Sequence, residues 1–289
     1  MPQAETLSRP GAQIETEIKY LVPTSRINRR FWAPGAEYNT GVYDFYPATI
    51  RNARLRESPP TLDTDGFCLA RHETQITDFA DAGQLKAYPA EVEAVAKALT
   101  GCDFIYPMGG QLRSPVIDAA GIQPPAAEAH VDFNTPTAQI IARRFYDTLR
   151  PDGPGFERFI CFSLWRALSP APQNWPLALC EGPSVGEEDS ISNYKVDVDV
   201  IPTGADLFAP IEGEEAMLAA TIFKYSPGHR WWYFPDMTRD EVIFITFHDS
   251  DHARAWRSPH TAFHDTTRPD ATRRTSYEYR AIAYFEKKA

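Results

Sequence analysis

Residues Glu128–Ala138 read EAHVDFNTPTA, and the meaning of His130-Val131-Asp132 within them decides what the rest of the chain must supply. Side chains alternate along a strand, so His130 and Asp132, at i and i+2, point to one side. The strand ends here in a loop, where both can aim into the same cavity. Directly behind, Thr135 precedes Pro136, and Ile140, Ile141, Phe145 and Leu149 recur at helical spacing, so a helix starts. The triplet alone is weak. With 7 His and 39 acidic residues in 289 positions, about one His-x-acid triplet arises by chance. The plain alternative is a hydrogen-bonded pair at a strand end. A metal needs a third ligand and a reason to be there.

Outward from this stretch the chain reads as strands. IETEIKYLV (14–22) is a first strand. ARLRES and GFCLARHE are two more, separated by the turn-rich PPTLDTDG. AYPAEVEAVAKALTG is a helix, with Pro89 near its start, Val92, Val95, Ala96 and Leu99 on one face, and Gly101 at its stop. CDFIYPMGGQLR is a strand and turn. ERFICFSLWRAL, WPLALCEGPSV, AMLAATIFKYSPGHRWWYFP and DEVIFITFHDSD follow as strands, and RRTSYEYRAIAYFEKK is the last. Abundant proline falls between these runs, where strand-and-loop proteins tolerate it. The expectation is a mainly β chain with flanking helices. It forms one domain over 1–289, loose over 1–15, with its core in roughly 100–289.

The net charge of −10 and scattered basic residues argue against nucleic acid or an anionic membrane as partner, since phosphate binding needs clustered Lys and Arg. No secretory leader and no 18-residue apolar stretch is visible. Cys68, Cys102, Cys161 and Cys180 form no C-x-x-C and read as small buried thiols. A soluble cytoplasmic protein is expected.

The missing ligand is sought in RSPHTAFHDTTRPDATRRTSYEYR (257–280), which carries His260 and His264; His252 lies just upstream. Arg274, Ser276, Glu278 and Arg280 share one face if that segment is a strand. An inward Arg and Ser can hold a carboxylate, the guanidinium by two parallel hydrogen bonds and the hydroxyl by a third. Two His and one carboxylate on one face of a ferrous ion leave three open positions, the facial triad of non-haem iron oxygenases. Two of them accept the 2-oxo acid end of 2-oxoglutarate and the third O2. The far carboxylate of that cosubstrate needs a deeper cation. Arg274 fits, Arg280 is a second candidate on the same face, and Arg273 lies in the opposite phase.

The blocks HVDFN, LWRAL…WPLALCEGPSV, HRWWYFPDMTRDEVIFITFHDSD, SPHTAF and RRTSYEYR, spanning about residues 128–285, resemble the Fe(II)/2-oxoglutarate oxygenases of the double-stranded β-helix (jelly-roll, cupin-like) fold. More narrowly they resemble the fungal and bacterial secondary-metabolite hydroxylases and desaturases related to the aspergillic-acid hydroxylase, gibberellin desaturase and cephalosporin 7α-hydroxylase. The resemblance implies His130, Asp132 and His260 as iron ligands, with SPHTAF favouring His260 over His264 and His252, and Arg274 as the 2-oxoglutarate anchor. It implies hydroxylation, desaturation or oxidative cyclisation of a small molecule. Glu181 stands where that group usually has aspartate.

Substrate-binding candidates are Trp165, Arg166, His229 and Trp231, whose bland reading is core strand. His248 and His72 read as solvent-facing. The arginines near the site favour a carboxylate-bearing substrate, and an aromatic-rich surface would suit a homodimer. Two rivals remain. A cupin-like hydrolase or isomerase on the same triad would have no use for Arg274. A non-catalytic binding protein would not be expected to keep a complete triad.

Overall fold

Alternation sorts the last strand, Ser276–Glu286, into two faces. Tyr277, Tyr279, Ala281 and Ala283 pack into one buried core, while Ile282 and Tyr284 pack into another. Ser276, Glu278 and Arg280 share the face of Ile282 and Tyr284, as a period of two requires. The computed structural model describes residues 10–24, 26–115 and 122–288.

That strand lies in a five-stranded sheet, ordered Phe67–Arg71, Glu241–Asp249, Phe156–Ala167, Ser276–Glu286, Phe104–Arg113. Every neighbouring pair in it is antiparallel. A ten-stranded sheet faces it. At its centre run Trp231–Tyr233, Leu177–Cys180, His260–Ala262, His130–Val131 and Ala219–Phe223, again antiparallel. The five-stranded sheet and the antiparallel centre of the ten-stranded one, packed face to face, make the double-stranded β-helix, with helices outside; parallel strand pairs join only the flanking strands Asn28–Ala33 and Tyr43–Asn52.

Three cores follow. Between the sheets lie Trp165, Leu177, Leu179, Ile243, Ile245 and Phe247, with helix Thr135–Leu149 adding Ala138, Ile141 and Tyr146 at one end. Helix Tyr88–Thr100 covers the outer face of the five-stranded sheet with Val92, Val95 and Ala96. It stops at Gly101, whose φ of +72° suits glycine. The outer face of the ten-stranded sheet closes partly on itself. Strand Gln13–Leu21 makes parallel bridges Lys19 to Glu128 and Leu21 to Lys224, over a core of Ile18, Tyr20, Ile50, Val131, Phe223 and Trp231.

Several local expectations change. Residues 53–58 are not a strand: the strand is Tyr43–Asn52, and the Asn52 side chain accepts from Arg54 N at 3.0 Å, turning the chain into a short 3-10 helix, Ala53–Leu55. The helix after the His-x-Asp is capped by Asn134, not Thr135; its side chain accepts from Thr137 N at 2.9 Å. The AMLAATIFKYSPGHRWWYFP run is two strands, Ala219–Phe223 and Trp231–Tyr233. Pairing begins at Gln13, inside the stretch expected to be loose, of which residues 1–9 lie outside those described.

Candidate active site

His130 and Asp132 sit on and just past strand His130–Val131, and His260 opens the adjacent strand, directly opposite His130 in the register. Their rings lie 4.5 Å apart. The ligand atoms of His130, Asp132 and His260 all fall within 4.8 Å of one another, the one such group of His, Cys, Asp and Glu among the described residues.

The hydrogen bonding fixes what the rings present. His130 Nδ1 lies 2.7 Å from the Glu128 carbonyl and His260 Nδ1 3.2 Å from the Ser258 carbonyl. A carbonyl can only accept, so each Nδ1 carries its hydrogen, and in the neutral ring Nε2 is the nitrogen that keeps a lone pair for a metal. This is how a metal-binding imidazole is oriented by its outer partner. His260 is fixed further by stacking on Phe247, with ring centroids 5.3 Å apart.

Burial works against a charge on Asp132, but the Arg280 guanidinium, then His130 and His260, hold its carboxyl well below the ordinary range. Glu278 is treated alike: burial raises it, and Arg280 and Arg113 more than offset that. Both are therefore carboxylates at neutral pH. Burial, with His130 next, pushes His260 down to about 4, so it stays a neutral donor.

Opposite the triad, on the five-stranded sheet, is the second half of the site. Arg274 is 1% exposed, and its Nε and Nη1 have no hydrogen-bond partner among the described residues. The guanidinium lies over Trp165, 5.4 Å from the ring centroid. Burial, with Arg113 adding, lowers it to about 9, so the cation persists at neutral pH. Ser276 Oγ, wholly buried, is also unpartnered, as is Ser163 Oγ on the neighbouring strand, whose partner across the ladder is Arg280. Orphaned buried polar groups are costly and call for an explanation. A buried forked cation lining the same cleft as the two histidines, two residues before a free hydroxyl, suits a carboxylate.

Arg274, His130, His260, Trp165 and Glu278 line one cleft of about 20 Å³. Larger hollows of about 520 and 550 Å³ open elsewhere, but they are broad surface depressions without such a donor set. Here donor chemistry, not volume, marks the site.

The other candidates fall elsewhere for the same alternation reason. Trp165 faces the cleft, so Arg166 faces away; its guanidinium binds His72 Nδ1 at 2.7 Å and the Arg239 carbonyl. Trp231 lies in the outer core of the ten-stranded sheet, its Nε1 donating to Tyr20 OH at 2.8 Å. His229 joins the same chain, with Nδ1 2.9 Å from Tyr20 OH and Nε2 3.2 Å from Asp189. That network is internally satisfied. Arg280 does not lie free beside Arg274: it binds Asp132 and Glu278. His264 is exposed on Trp175, and His252 stacks on Trp256. Arg113, Glu278 and Ser163 were not singled out from sequence. Glu278 lay on the Arg274 face and could have been; Arg113 and Ser163 depend on strand order.

His248 is buried, not solvent-facing, and both its ring nitrogens lack a hydrogen-bond partner among the described residues. Burial, with His252 next, pushes it down to about 3. Such a group takes up its proton more readily in the unfolded chain, near a pKa of about 6.5. Its contribution is intact above about 6.5, and stability is lost as pH falls from there towards the folded values of His248 and His260. The melting temperature of metal-free protein is expected to drop over that window. His248→Phe, which keeps a ring and removes the orphaned nitrogens, should flatten the drop; an unchanged slope would acquit His248.

A family model described as "YDMC: Oxidoreductase/YMDC permease-like domain" matches residues 18–284. Among the described residues no helix is long and apolar enough to cross a membrane. The chain is 28% identical over 262 residues to the "Hydroxylase/desaturase CTB9" of Cercospora beticola, covering 84% of this chain and 78% of that protein. It is 24% identical over 284 residues to the "Fe(II)/2-oxoglutarate-dependent dioxygenase nvfI" of Aspergillus novofumigatus, covering 93% and 96%. The solved "iron and alpha-ketoglutarate-dependent endoperoxidase NvfI" superposes with a TM-score of 0.79 at 21% identity, covering 96% of this chain and 99% of that one. This last likeness concerns the fold.

Proposed function

The chain belongs to the oxidoreductase/YMDC permease-like domain family, and from that premise we infer that it is an Fe(II)/2-oxoglutarate-dependent oxygenase of secondary metabolism. It couples decarboxylation of 2-oxoglutarate to hydroxylation, desaturation or oxidative ring formation on a small molecule. The relatives named hydroxylase/desaturase and Fe(II)/2-oxoglutarate-dependent dioxygenase support the class. The observation that carries it to these residues is the cluster of His130, Asp132 and His260, whose two histidines line one cleft together with the buried, unpartnered Arg274. A hydrolase or isomerase on the same triad leaves Arg274 and Ser276 unexplained.

His130 Nε2, Asp132 and His260 Nε2 are assigned to iron. Arg274 and Ser276 are assigned to the distal carboxylate of 2-oxoglutarate. Bound iron and 2-oxoglutarate together supply the activation of O2 that attacks an unactivated C–H bond. The chain's own part is placement: Phe247 holds the His260 ring, Trp165 seats the Arg274 guanidinium, and the inter-sheet core keeps bulk water out.

A carboxylate-bearing substrate is the reading we favour. Arg113, Arg274 and Arg280 face Asp132 and Glu278 around the cleft, a surplus of one positive charge. Ferrous ion and the 2-oxoglutarate dianion cancel each other, so the surplus remains for the substrate. We read 1–289 as a single oxygenase domain. Four buried free thiols, Cys68, Cys102, Cys161 and Cys180, suit the reducing cytoplasm. Exposed Tyr38, Val42 and Phe45 suit a homodimer, which light scattering of the purified protein would test.

The direct test adds 2-oxoglutarate to anaerobic Fe(II)-loaded protein, then O2 with paired carboxylic acids and their methyl esters. The weak visible band of the iron chelate is expected, followed by succinate. Iron bound without the band removes the cosubstrate. Esters consumed as well as acids remove the carboxylate-bearing substrate.

A further inference from the structure

Asp132 does not present its two oxygens alike. Oδ1 lies 3.5 Å from His130 Nε2, on the side where the donors converge. Oδ2 accepts a hydrogen bond from Arg280 Nε. The guanidinium is gripped at its other end too: Nη2 donates to Glu278 Oε1 at 2.7 Å, and that oxygen also accepts from Arg113 Nη2 at 2.8 Å. Arg113 Nη1 donates in turn to Gln123 Oε1 at 3.2 Å and the Pro124 carbonyl at 3.1 Å. Charges alternate along Asp132, Arg280, Glu278 and Arg113, so each is compensated by its neighbours.

The backbone is shaped at the same point. Arg280 pairs with Gly109 but Ala281 with Pro107, leaving Met108 as a bulge. Gly109 has φ +108°, a conformation open to glycine. Bulges increase the local twist and re-aim side chains beside active sites.

We propose that Arg280 is a positioning residue that holds Asp132 to single-oxygen ligation of the iron, through Oδ1. The inference rests on the metal reading above. An octahedral ion held by two imidazoles and one carboxylate oxygen keeps three positions, two for the 2-oxo acid and one for O2. A carboxylate with both oxygens free can bind a metal through both. That would fill a fourth position and leave none for O2 once 2-oxoglutarate is on. The Arg280 hydrogen bond occupies the oxygen such chelation would use. Of the arginines the sequence offers as anchors, Arg280 thus acts on the ligand and Arg274 on the cosubstrate.

The test uses nitric oxide as a surrogate for O2. Protein loaded anaerobically with Fe(II) and 2-oxoglutarate is titrated with nitric oxide, and the EPR signal of the adduct is read. Mn(II) affinity is measured in parallel. Arg280→Met removes every donor; it is expected to bind Mn(II) within a few-fold of wild type but to give an adduct signal about tenfold smaller at a fixed nitric oxide concentration. Arg280→Lys is a point charge that cannot hold Oδ2 and Glu278 together; it is expected to fall between, and it decides alone if Arg280→Met does not fold. A wild-type signal in the folded variants overturns the proposal. So does loss of Mn(II) binding in them, which would make Arg280 a support of metal binding as such. Wild-type protein that binds neither metal overturns the metal reading instead.

Discussion

Replacing His130 with alanine is expected to erase the visible band of the Fe(II)–2-oxoglutarate chelate. Succinate formation should fall by more than about a hundredfold, beyond what losing a supporting partner costs. The reason is positional. His130 is the donor between the other two: it lies across the ladder from His260 and 3.5 Å from Asp132, two residues on. Without it, one imidazole and one carboxylate remain, and the facial set of three that holds a ferrous ion is broken. His264→Ala is the matching control. His264 is exposed on Trp175, so its loss should leave band and turnover unchanged. If His264 behaved like His130, the ligand assignment would be wrong.

The second large effect is at Arg274, and it carries opposite signs in two measurements. Arg274→Met should weaken 2-oxoglutarate binding by about 3 kcal/mol, roughly a hundredfold, the range seen when one partner of a buried, hydrogen-bonded charge pair is truncated. The iron ligands are untouched, so metal affinity should hold. The metal-free protein should become more stable, by about 1 kcal/mol or more, because a buried cation with two unpartnered nitrogens gives way to an apolar chain of similar length. Isothermal titration reads the first and thermal unfolding the second. An arginine kept for the fold would give a lower melting temperature, so a fall there sinks the anchor assignment.

Much of the candidate site was legible because it rests on short-range spacing. His130 with Asp132, and Arg274 with Ser276, are two residues apart, at the ends of the strands His130–Val131 and Ser276–Glu286. His260 was preferred over His264 through the SPHTAF block; spacing alone left both open. What stayed hidden was set by pairing between distant strands. Arg280 looked like a spare anchor until the two sheets brought Asp132 to it, a separation of 148 residues. Arg113 could not be connected to the site, since only its ladder with Ser276 places it there. Arg166, His229 and Trp231 attracted notice as polar or aromatic residues in apolar strands. Each meets a partner away from the cleft and far off in the sequence, His72, Asp189 and Tyr20 respectively. In the fold, a mainly β chain with flanking helices was readable from strand count and proline placement, and the jelly-roll core through the family resemblance. Its missed details, the Asn52 turn and the Asn134 cap, are single side-chain hydrogen bonds competing with the backbone.

The two halves of the site belong to different sheets. The residues assigned to iron stand on or beside strands of the ten-stranded one; Arg274, Ser276, Glu278 and Arg280 stand on or beside the last strand of the other. The reach from metal to anchor is therefore a thickness, gauged by the side chains wedged between: Leu177, Leu179, Ile243, Ile245 and Phe247. These act as spacers, and a 2-oxo diacid is measured against them like a feeler blade in a gap. Lineages that trim or enlarge a spacer can retune which diacid length fits while every ligand and anchor stays in place.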